Sequence, residues 1–139
     1  MSLRFDRLMD EHDASQMNAL QLAYLGDSVW ETMVRYELVF RKLNVHHLHV
    51  QSVKRVNACA QAEWLLQIID SLSEREADIV RRGRNSHPKH TPPKNQQPDH
   101  YASSTGFEAL IGYLYLTGQD DRIRQIFLSI NLHEVNQNG

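Results

Sequence analysis

Residues 17–43, with the sequence MNALQLAYLGDSVWETMVRYELVFRKL, determine the fold class. The stretch contains no proline, and its apolar residues recur every three or four positions, which is the spacing of one face of an α-helix. Ser15 or Asn18 would cap the start of this helix, because either side chain can accept a hydrogen bond from a free backbone N–H group. The predicted core-facing stripe consists of Leu20, Ala23, Tyr24, Trp30, Val34 and Leu38.

The rest of the chain also has helical spacing, with no internal repeat and no alternating run typical of a strand. Ser73-Glu74-Arg75-Glu76 matches a capping box, in which the Ser and Glu side chains each bond the other residue's backbone N–H group. We therefore predict an all-α fold of five to seven helices, with residues 1–139 forming a single domain. The later predicted helices are a run over about 48–72 with one interruption, a helix from Ser73 ended by Gly83, a helix capped by Ser103-Ser104 and ended by Gly118, and a last helix over about 120–132.

A basic, proline-rich loop is predicted at about residues 86–102, where all four prolines of the chain lie. Residues 79–98 contain five Lys and Arg residues and no acid, so this segment carries a charge of +5. Because the whole chain carries −2, the other 119 residues carry −7. A basic segment on an acidic body creates a localised surface field that is suited to binding an anion.

The side chains of this basic segment are suited to nucleic acid. The guanidinium of arginine can bind a phosphate through two hydrogen bonds, and asparagine can reach a 2′-hydroxyl or a base edge. The alternative is that the cations stabilise the negative end of a helix dipole, which would account for one or two arginines but not for five cations. The candidate RNA-binding residues are Arg81, Arg82, Arg84, Asn85, Lys89, Lys94 and Asn95.

Two carboxylates lie on apolar helical faces. Asp27 lies within the apolar stripe of residues 20–38, and Glu108 is the only charged residue in the run 106–116. An ionised carboxylate is rarely buried unless it is paired or binds a metal. Magnesium sites use one or two carboxylates, completed by water and phosphate. Asp27 and Glu108 are therefore candidate metal ligands and catalytic residues, and the alternative for each is an ordinary hydrogen bond to a neighbouring helix.

The composition excludes several other classes of site. Cys59 is the only cysteine, so no intrachain disulfide can form, and we expect it to be a small core residue, with a catalytic thiol as the alternative. His46-His47-x-His49 lacks the partner ligands of a zinc site and is expected to be a solvated turn. No apolar run of about 18 residues and no targeting signal is present, which favours a cytoplasmic location.

Two of these segments resemble a known enzyme family. Residues 22–29, LAYLGDSV, resemble the signature helix of ribonuclease III catalytic domains, and residues 107–116, FEALIGYLYL, resemble their second acidic motif. Further matching motifs make the chain most similar to the short branch, Mini-ribonuclease III: Arg82-Gly83-Arg84-Asn85, Thr91-Pro92 and Lys94-Asn95. The resemblance extends from about residue 20 to residue 127, and the lack of a double-stranded-RNA-binding domain after the helices is also typical of that branch.

The resemblance implies a homodimeric, all-α endonuclease that uses Mg²⁺, or Mn²⁺ in its place, to hydrolyse both strands of double-stranded RNA with a metal-activated water. In this branch it implies maturation of the precursor of large-subunit (23S) ribosomal RNA. Asp27 and Glu108 match two of the family's metal-site acids.

Leu20, Ala23 and Thr105 stand where the full-length enzymes of the family have further acids. The missing acids leave the number of metal ions open. They also leave open a ribonuclease III-like dimer that binds RNA without cutting it. A purely structural helical protein, in which both carboxylates make ordinary hydrogen bonds, is a further alternative.

Overall fold

The computed structural model describes residues 3–4, 6–86 and 98–138, without the side chains of 98 and 131–138. These residues form α-helices and one short 3₁₀ helix but no β-strand, which confirms the predicted all-α fold. The helices are α1 (Glu11–Ser15), α2 (Ala19–Val39), α3 (Val45–Val56), α4 (Ala58–Ile68) with the 3₁₀ helix Ile69–Ser71 after it, α5 (Glu74–Asn85), α6 (Pro98–Leu116) and α7 (Asp120–Asn138). None of the helices in the described ranges is long and apolar enough to cross a lipid bilayer.

Helix α6 is the centre of the fold, and α2, α4 and α5 pack around it. A helix that is apolar on all sides is stable only when other helices surround it. The indole of Trp30 in α2 contacts the Phe107 ring edge to face, with ring centroids 4.8 Å apart, so aromatic packing joins α2 to α6. Five residues of α6 are completely inaccessible to solvent: Phe107, Ala109, Leu110, Ile111 and Leu114.

Two glycines bring the backbones of α2 and α6 into direct contact. A Cβ atom added to Gly26 would lie 1.7 Å from the carbonyl oxygen of Glu108, and one added to Gly112 would lie 1.9 Å from the carbonyl oxygen of Leu22. Only glycine fits at either position, because any side chain would overlap the backbone of the other helix. Gly26 therefore lets the backbone of α6 approach α2 directly beside Asp27.

The contact between α5 and α6 uses glycine in the same way. A Cβ atom on Gly83 would lie 2.7 Å from the Cα atom of Gly106. The prediction that Gly83 ends its helix is wrong, since α5 continues to Asn85 and Ser86 is its C-cap. The glycine serves close helix packing here and not helix termination.

The prediction of a loop over residues 86–102 is wrong at its C-terminal end. Residues 98–102 form the start of α6. Proline is tolerated in a first helical turn, where a backbone N–H group would have no partner, and Asp99 places a negative charge at the positive end of the helix dipole. Ser103 and Ser104 were predicted as caps, but they are buried inside α6. The part of the predicted loop at 87–97 lies outside the described residues.

The core-facing stripe predicted for α2 includes two residues that are exposed in the structure. Ala23, Trp30, Val34 and Leu38 are buried, whereas Tyr24 is 85% exposed and Leu20 is 39% exposed. Tyr24 is two residues from the buried Gly26, which corresponds to about 200° around the helix and therefore to the opposite face. Asn18, not Ser15, caps α2, because its side chain accepts a hydrogen bond from the backbone N–H of Leu20.

Of three smaller predictions, the structure confirms one and contradicts two. The interruption predicted within residues 48–72 is confirmed at Asn57, which caps the start of α4. Cys59 is exposed and not a core residue, because it lies off the buried row of α4. His46, His47 and His49 belong to helix α3 and not to a turn, although all three are solvent-exposed.

We expect Gly112→Ala to destabilise the protein by about 1–3 kcal/mol or more, because the added methyl group overlaps the Leu22 carbonyl oxygen. At an unconstrained helical position the same exchange would stabilise the helix by about 1 kcal/mol. Thermal denaturation followed by circular dichroism measures the difference. Gln21→Ala, an exposed position in α2, is the matched control and should keep the wild-type Tm. A Gly112→Ala protein that melts at or above the wild-type temperature would contradict the backbone contact.

Candidate active site

The contact of α2 with α6 brings the two candidate carboxylates together. Asp27 directly follows Gly26, and the backbone of Gly26 touches the carbonyl of Glu108. Glu108 is half-buried, whereas Asp27 is exposed. The prediction that Asp27 faces the core is therefore wrong, because the helix turns by about 100° between Gly26 and Asp27 and brings Asp27 to the edge of the interface.

The charge of Asp27 disfavours the charged form of Glu108, and burial disfavours the charged forms of both carboxylates. Burial, followed by the negative charge of Asp27, raises the pKa of Glu108 to about 8, although a hydrogen bond from Ser104 opposes the shift. The pKa of Asp27 is also raised, first by the partial desolvation of its carboxylate and then by the charge of Glu31. Glu31 lies one turn further along α2 and is itself paired with Arg35 at 2.5 Å.

A divalent cation fits this pair. Within the described residues neither Asp27 nor Glu108 has a cationic partner, so a metal ion between them would offset their repulsion. No group of three or more His, Cys, Asp or Glu side chains in the described ranges is placed to hold a metal. Two carboxylates completed by water and phosphate are the kind of site that magnesium uses.

The positions of the missing family acids supply no replacement carboxylate. Ala23 is buried, and the hydroxyl of Thr105 donates a hydrogen bond to the backbone carbonyl of Tyr101 at 3.0 Å. The structure therefore leaves Asp27 and Glu108 as the acids that face each other across the α2–α6 contact.

Two residues that were not predicted from the sequence adjoin Glu108. The Ser104 hydroxyl lies 3.0 Å from the Oε1 atom of Glu108 and is also in hydrogen-bond contact with the Oε1 atom of Gln61 in α4. The spacing of four residues between Ser104 and Glu108 could have indicated their contact, since such residues lie on one helical face. Nothing in the sequence around Gln61 connects it with α6.

The candidate RNA-binding arginines have different surroundings. Arg82 is half-buried, and its guanidinium donates hydrogen bonds to the backbone carbonyls of Ser15 and Met17, the latter at 2.6 Å. These bonds attach α5 to the segment between α1 and α2. Because two of its five N–H donors bind backbone carbonyls of the protein, Arg82 has a clear structural role.

Arg84 and Arg81 have acidic partners from just outside the basic segment. Arg84 donates to the Ser103 hydroxyl at 2.7 Å and pairs with Asp99 at 3.2 Å. Arg81 pairs with Asp78 on the exposed surface of α5. The basic field is therefore weaker than the charge of residues 79–98 alone suggests, since acids at 78 and 99 offset part of it.

Arg81 and Asn85 are both exposed, and they line a polar groove of about 330 Å³ with Asn18, Ala19, Arg82 and Ser86. These two side chains are the described candidates best placed to meet a phosphate backbone. Lys89, Lys94 and Asn95 lie outside the described residues.

Comparisons with known proteins agree with this architecture and site. A family model described as the ribonuclease III domain matches residues 20–119. A Mini-ribonuclease 3 of Symbiobacterium thermophilum is 48% identical over 77% of this chain and 82% of its own length, and one of a Thermoanaerobacter species is 43% identical over 91% and 90%. A crystal structure of a Fusobacterium nucleatum protein matches with a TM-score of 0.78 at 30% identity, covering 88% of this chain and 95% of that one. The chain is thus an endoribonuclease that belongs to the ribonuclease III family, in its Mini-ribonuclease 3 branch.

Proposed function

We propose that this chain is a Mg²⁺-dependent endonuclease that cuts both strands of double-stranded RNA as a homodimer, with Mn²⁺ able to replace Mg²⁺. Its proposed substrate is the precursor of 23S ribosomal RNA in the bacterial cytoplasm, in keeping with the bacterial Mini-ribonuclease 3 relatives. The strongest support is the pair Asp27 and Glu108, whose mutual repulsion no cation of the described residues offsets.

Asp27 and Glu108 would hold the metal ion. When bound, Mg²⁺ supplies Lewis acidity that activates water and offsets the charge growing on the phosphate. Glu108 is anchored in the interior by its helix and its hydrogen bond, whereas Asp27 is exposed, so the site is open to a phosphodiester on the Asp27 side. Ala23 and Thr105 contribute no carboxylate, which leaves the remaining coordination positions to water and phosphate.

A homodimer would present two such sites to the two antiparallel strands of a duplex. Tyr24 projects from α2 with 85% of its surface exposed. Leu25, Ser28 and Thr32 of the same helix line an apolar concavity of about 430 Å³. A projecting aromatic ring beside a concavity on one helix can complement itself across a twofold axis, so we place the proposed dimer contact on this face of α2.

The alternative function is an RNA-binding dimer that does not cut. It is favoured by the absence of acids at Ala23 and Thr105, which reduces the protein's own contribution to a metal site. Incubating a defined duplex with and without Mg²⁺ distinguishes the two functions, because only the nuclease produces fragments, and it does so only with the metal.

We expect Asp27→Asn and Glu108→Gln each to reduce cleavage by roughly 10²-fold or more at saturating Mg²⁺, since each removes a ligand charge worth several kcal/mol to the transition state. The double variant should be little worse than either single variant, because both side chains serve one metal unit. Single-turnover cleavage of a defined duplex measures the rates, and circular dichroism checks the fold. Near wild-type cleavage by a folded Asp27→Asn protein would contradict the proposed site.

Apparent Mg²⁺ affinity should rise by about tenfold per pH unit between pH 6 and 8 and level off above pH 8, because the metal must displace the proton of Glu108. Without metal, the free energy of unfolding should fall as pH rises from 4.5 to 8, since the folded state holds a proton that the unfolded state has released. Titration calorimetry and thermal melts at several pH values measure both effects. Glu108→Gln is the control and should lose most of both dependences. A wild-type affinity that is constant from pH 6 to 8 would argue against Glu108 as a ligand.

The arginines should separate into a binding and a structural class. Arg81→Ala should weaken duplex binding and flatten its salt dependence by about one unit of slope, with little change in Tm, because its exposed pair with Asp78 is worth little. Arg82→Ala should destabilise the protein by about 1–3 kcal/mol, because two backbone carbonyls lose their donor. Shift assays at two salt concentrations and thermal melts provide the measurements.

Arg41→Ala, an exposed arginine beyond the end of α2, is the control for loss of positive charge. Lys89 and Lys94 are tested in the same way, and each should contribute about one unit of salt slope if it contacts a phosphate. If Arg81→Ala, Lys89→Ala and Lys94→Ala all keep the wild-type affinity and slope, the duplex does not bind to the basic segment of residues 79–98.

A further inference from the structure

Gln61 is a buried polar residue that the packing of the core alone does not account for. It lies on the face of α4 that packs against α6, and none of its surface is exposed. Its Nε2 atom is buried and has no hydrogen-bond partner among the described residues. An unpartnered buried amide destabilises a fold, and an apolar side chain of the same shape would avoid that cost.

Gln61 is linked to Glu108 through Ser104. The Ser104 hydroxyl contacts Oε1 of Gln61 on one side and lies 3.0 Å from Oε1 of Glu108 on the other. A serine hydroxyl has one proton, so it can donate to only one of these two oxygens at a time. Rotation of the Gln61 amide about its terminal torsion would place Nε2 where Oε1 stands, and Nε2 could then donate to Ser104.

The resulting chain of donors runs in one direction, from the Gln61 amide to the Ser104 hydroxyl and from there to the Glu108 carboxylate. Hydrogen bonds in such a chain polarise and strengthen one another. The chain anchors Oε1 of Glu108, whereas Oε2 makes no hydrogen bond within the described part of the protein. A glutamate side chain has three rotatable torsions, so this anchor restricts where Oε2 can point.

We propose that Ser104 and Gln61 are positioning residues, which hold the Glu108 carboxylate by one oxygen so that the other is presented to the metal. This inference rests on the proposed metal-dependent nuclease and adds a supporting layer behind its ligand. Groups that orient a metal ligand typically change metal affinity by about 10–100-fold when removed. Neither Ser104 nor Gln61 needs to touch RNA or the reacting atoms to have this effect.

The test compares Ser104→Ala and Gln61→Met with the wild type and with Ser103→Ala. Ser103 is the matched control, because it is a buried neighbour in α6 whose hydroxyl bonds Arg84 and not Glu108. Titration calorimetry with Mn²⁺ on the protein without RNA gives the metal affinity. Duplex cleavage over a range of Mg²⁺ concentrations gives the activation constant and the limiting rate separately.

We expect Ser104→Ala and Gln61→Met to weaken Mn²⁺ binding and to raise the Mg²⁺ activation constant, each by about tenfold or more, with a smaller loss in limiting rate at saturating Mg²⁺. Ser103→Ala should keep both metal constants. The double variant should match Ser104→Ala, because Gln61 acts through Ser104. Gln61→Met should melt at or above the wild-type temperature, since it removes a buried amide of which only one polar atom is hydrogen-bonded within the described residues.

Two outcomes overturn the inference in different ways. If the wild type binds Mn²⁺ and cuts duplex RNA, but both variants keep its metal affinity and activation constant, Ser104 and Gln61 do not position the ligand and the proposed nuclease stands. If the wild type neither binds Mn²⁺ nor cuts with Mg²⁺, the proposed function fails and the inference fails with it.

Discussion

The backbones of α2 and α6 are in direct contact, and this contact brings together the two carboxylates of the proposed metal site. The carbonyl of Glu108 lies where a side chain on residue 26 would be, and the carbonyl of Leu22 lies where a side chain on residue 112 would be. Gly26 and Gly112 therefore set the spacing of the two central helices. At this spacing Asp27 and Glu108 are close enough to raise each other's energy when both are charged, which side chains between the helices would prevent.

The same proximity makes the two carboxylates repel each other when both are charged, which favours binding of a cation between them. Burial and the negative charge of Asp27 both disfavour the ionised form of Glu108. A divalent ion between the two carboxylates would offset their repulsion, and binding to the folded state alone would stabilise that state. Glu108 is half-buried and hydrogen-bonded to Ser104, whereas Asp27 is exposed, so in the proposed site a substrate would approach from the side of Asp27.

The features that could be predicted from the sequence are those that depend on residues close together in the chain. The sequence predicted the long helices, one interruption within residues 48–72 and the two candidate acids, because periodicity, capping residues and the two acidic motifs are local patterns. It did not predict that Arg82 binds the carbonyls before α2, or that Gln61 reaches α6 through Ser104. Those contacts join residues far apart in the chain, and nothing in the neighbouring sequence distinguishes such an arginine from one on a solvated surface.

The most direct measurement is cleavage of a defined RNA duplex, labelled on both strands, with Mg²⁺ and with chelator. Attack by a metal-activated water with departure of the 3′ oxygen predicts fragments from both strands that carry 5′-phosphate and 3′-hydroxyl ends, formed only when Mg²⁺ is present. Intact strands in saturating Mg²⁺, from a folded protein that still binds the duplex, would contradict the account and favour the RNA-binding dimer. Cleavage that continues in chelator would contradict the role assigned to Asp27 and Glu108.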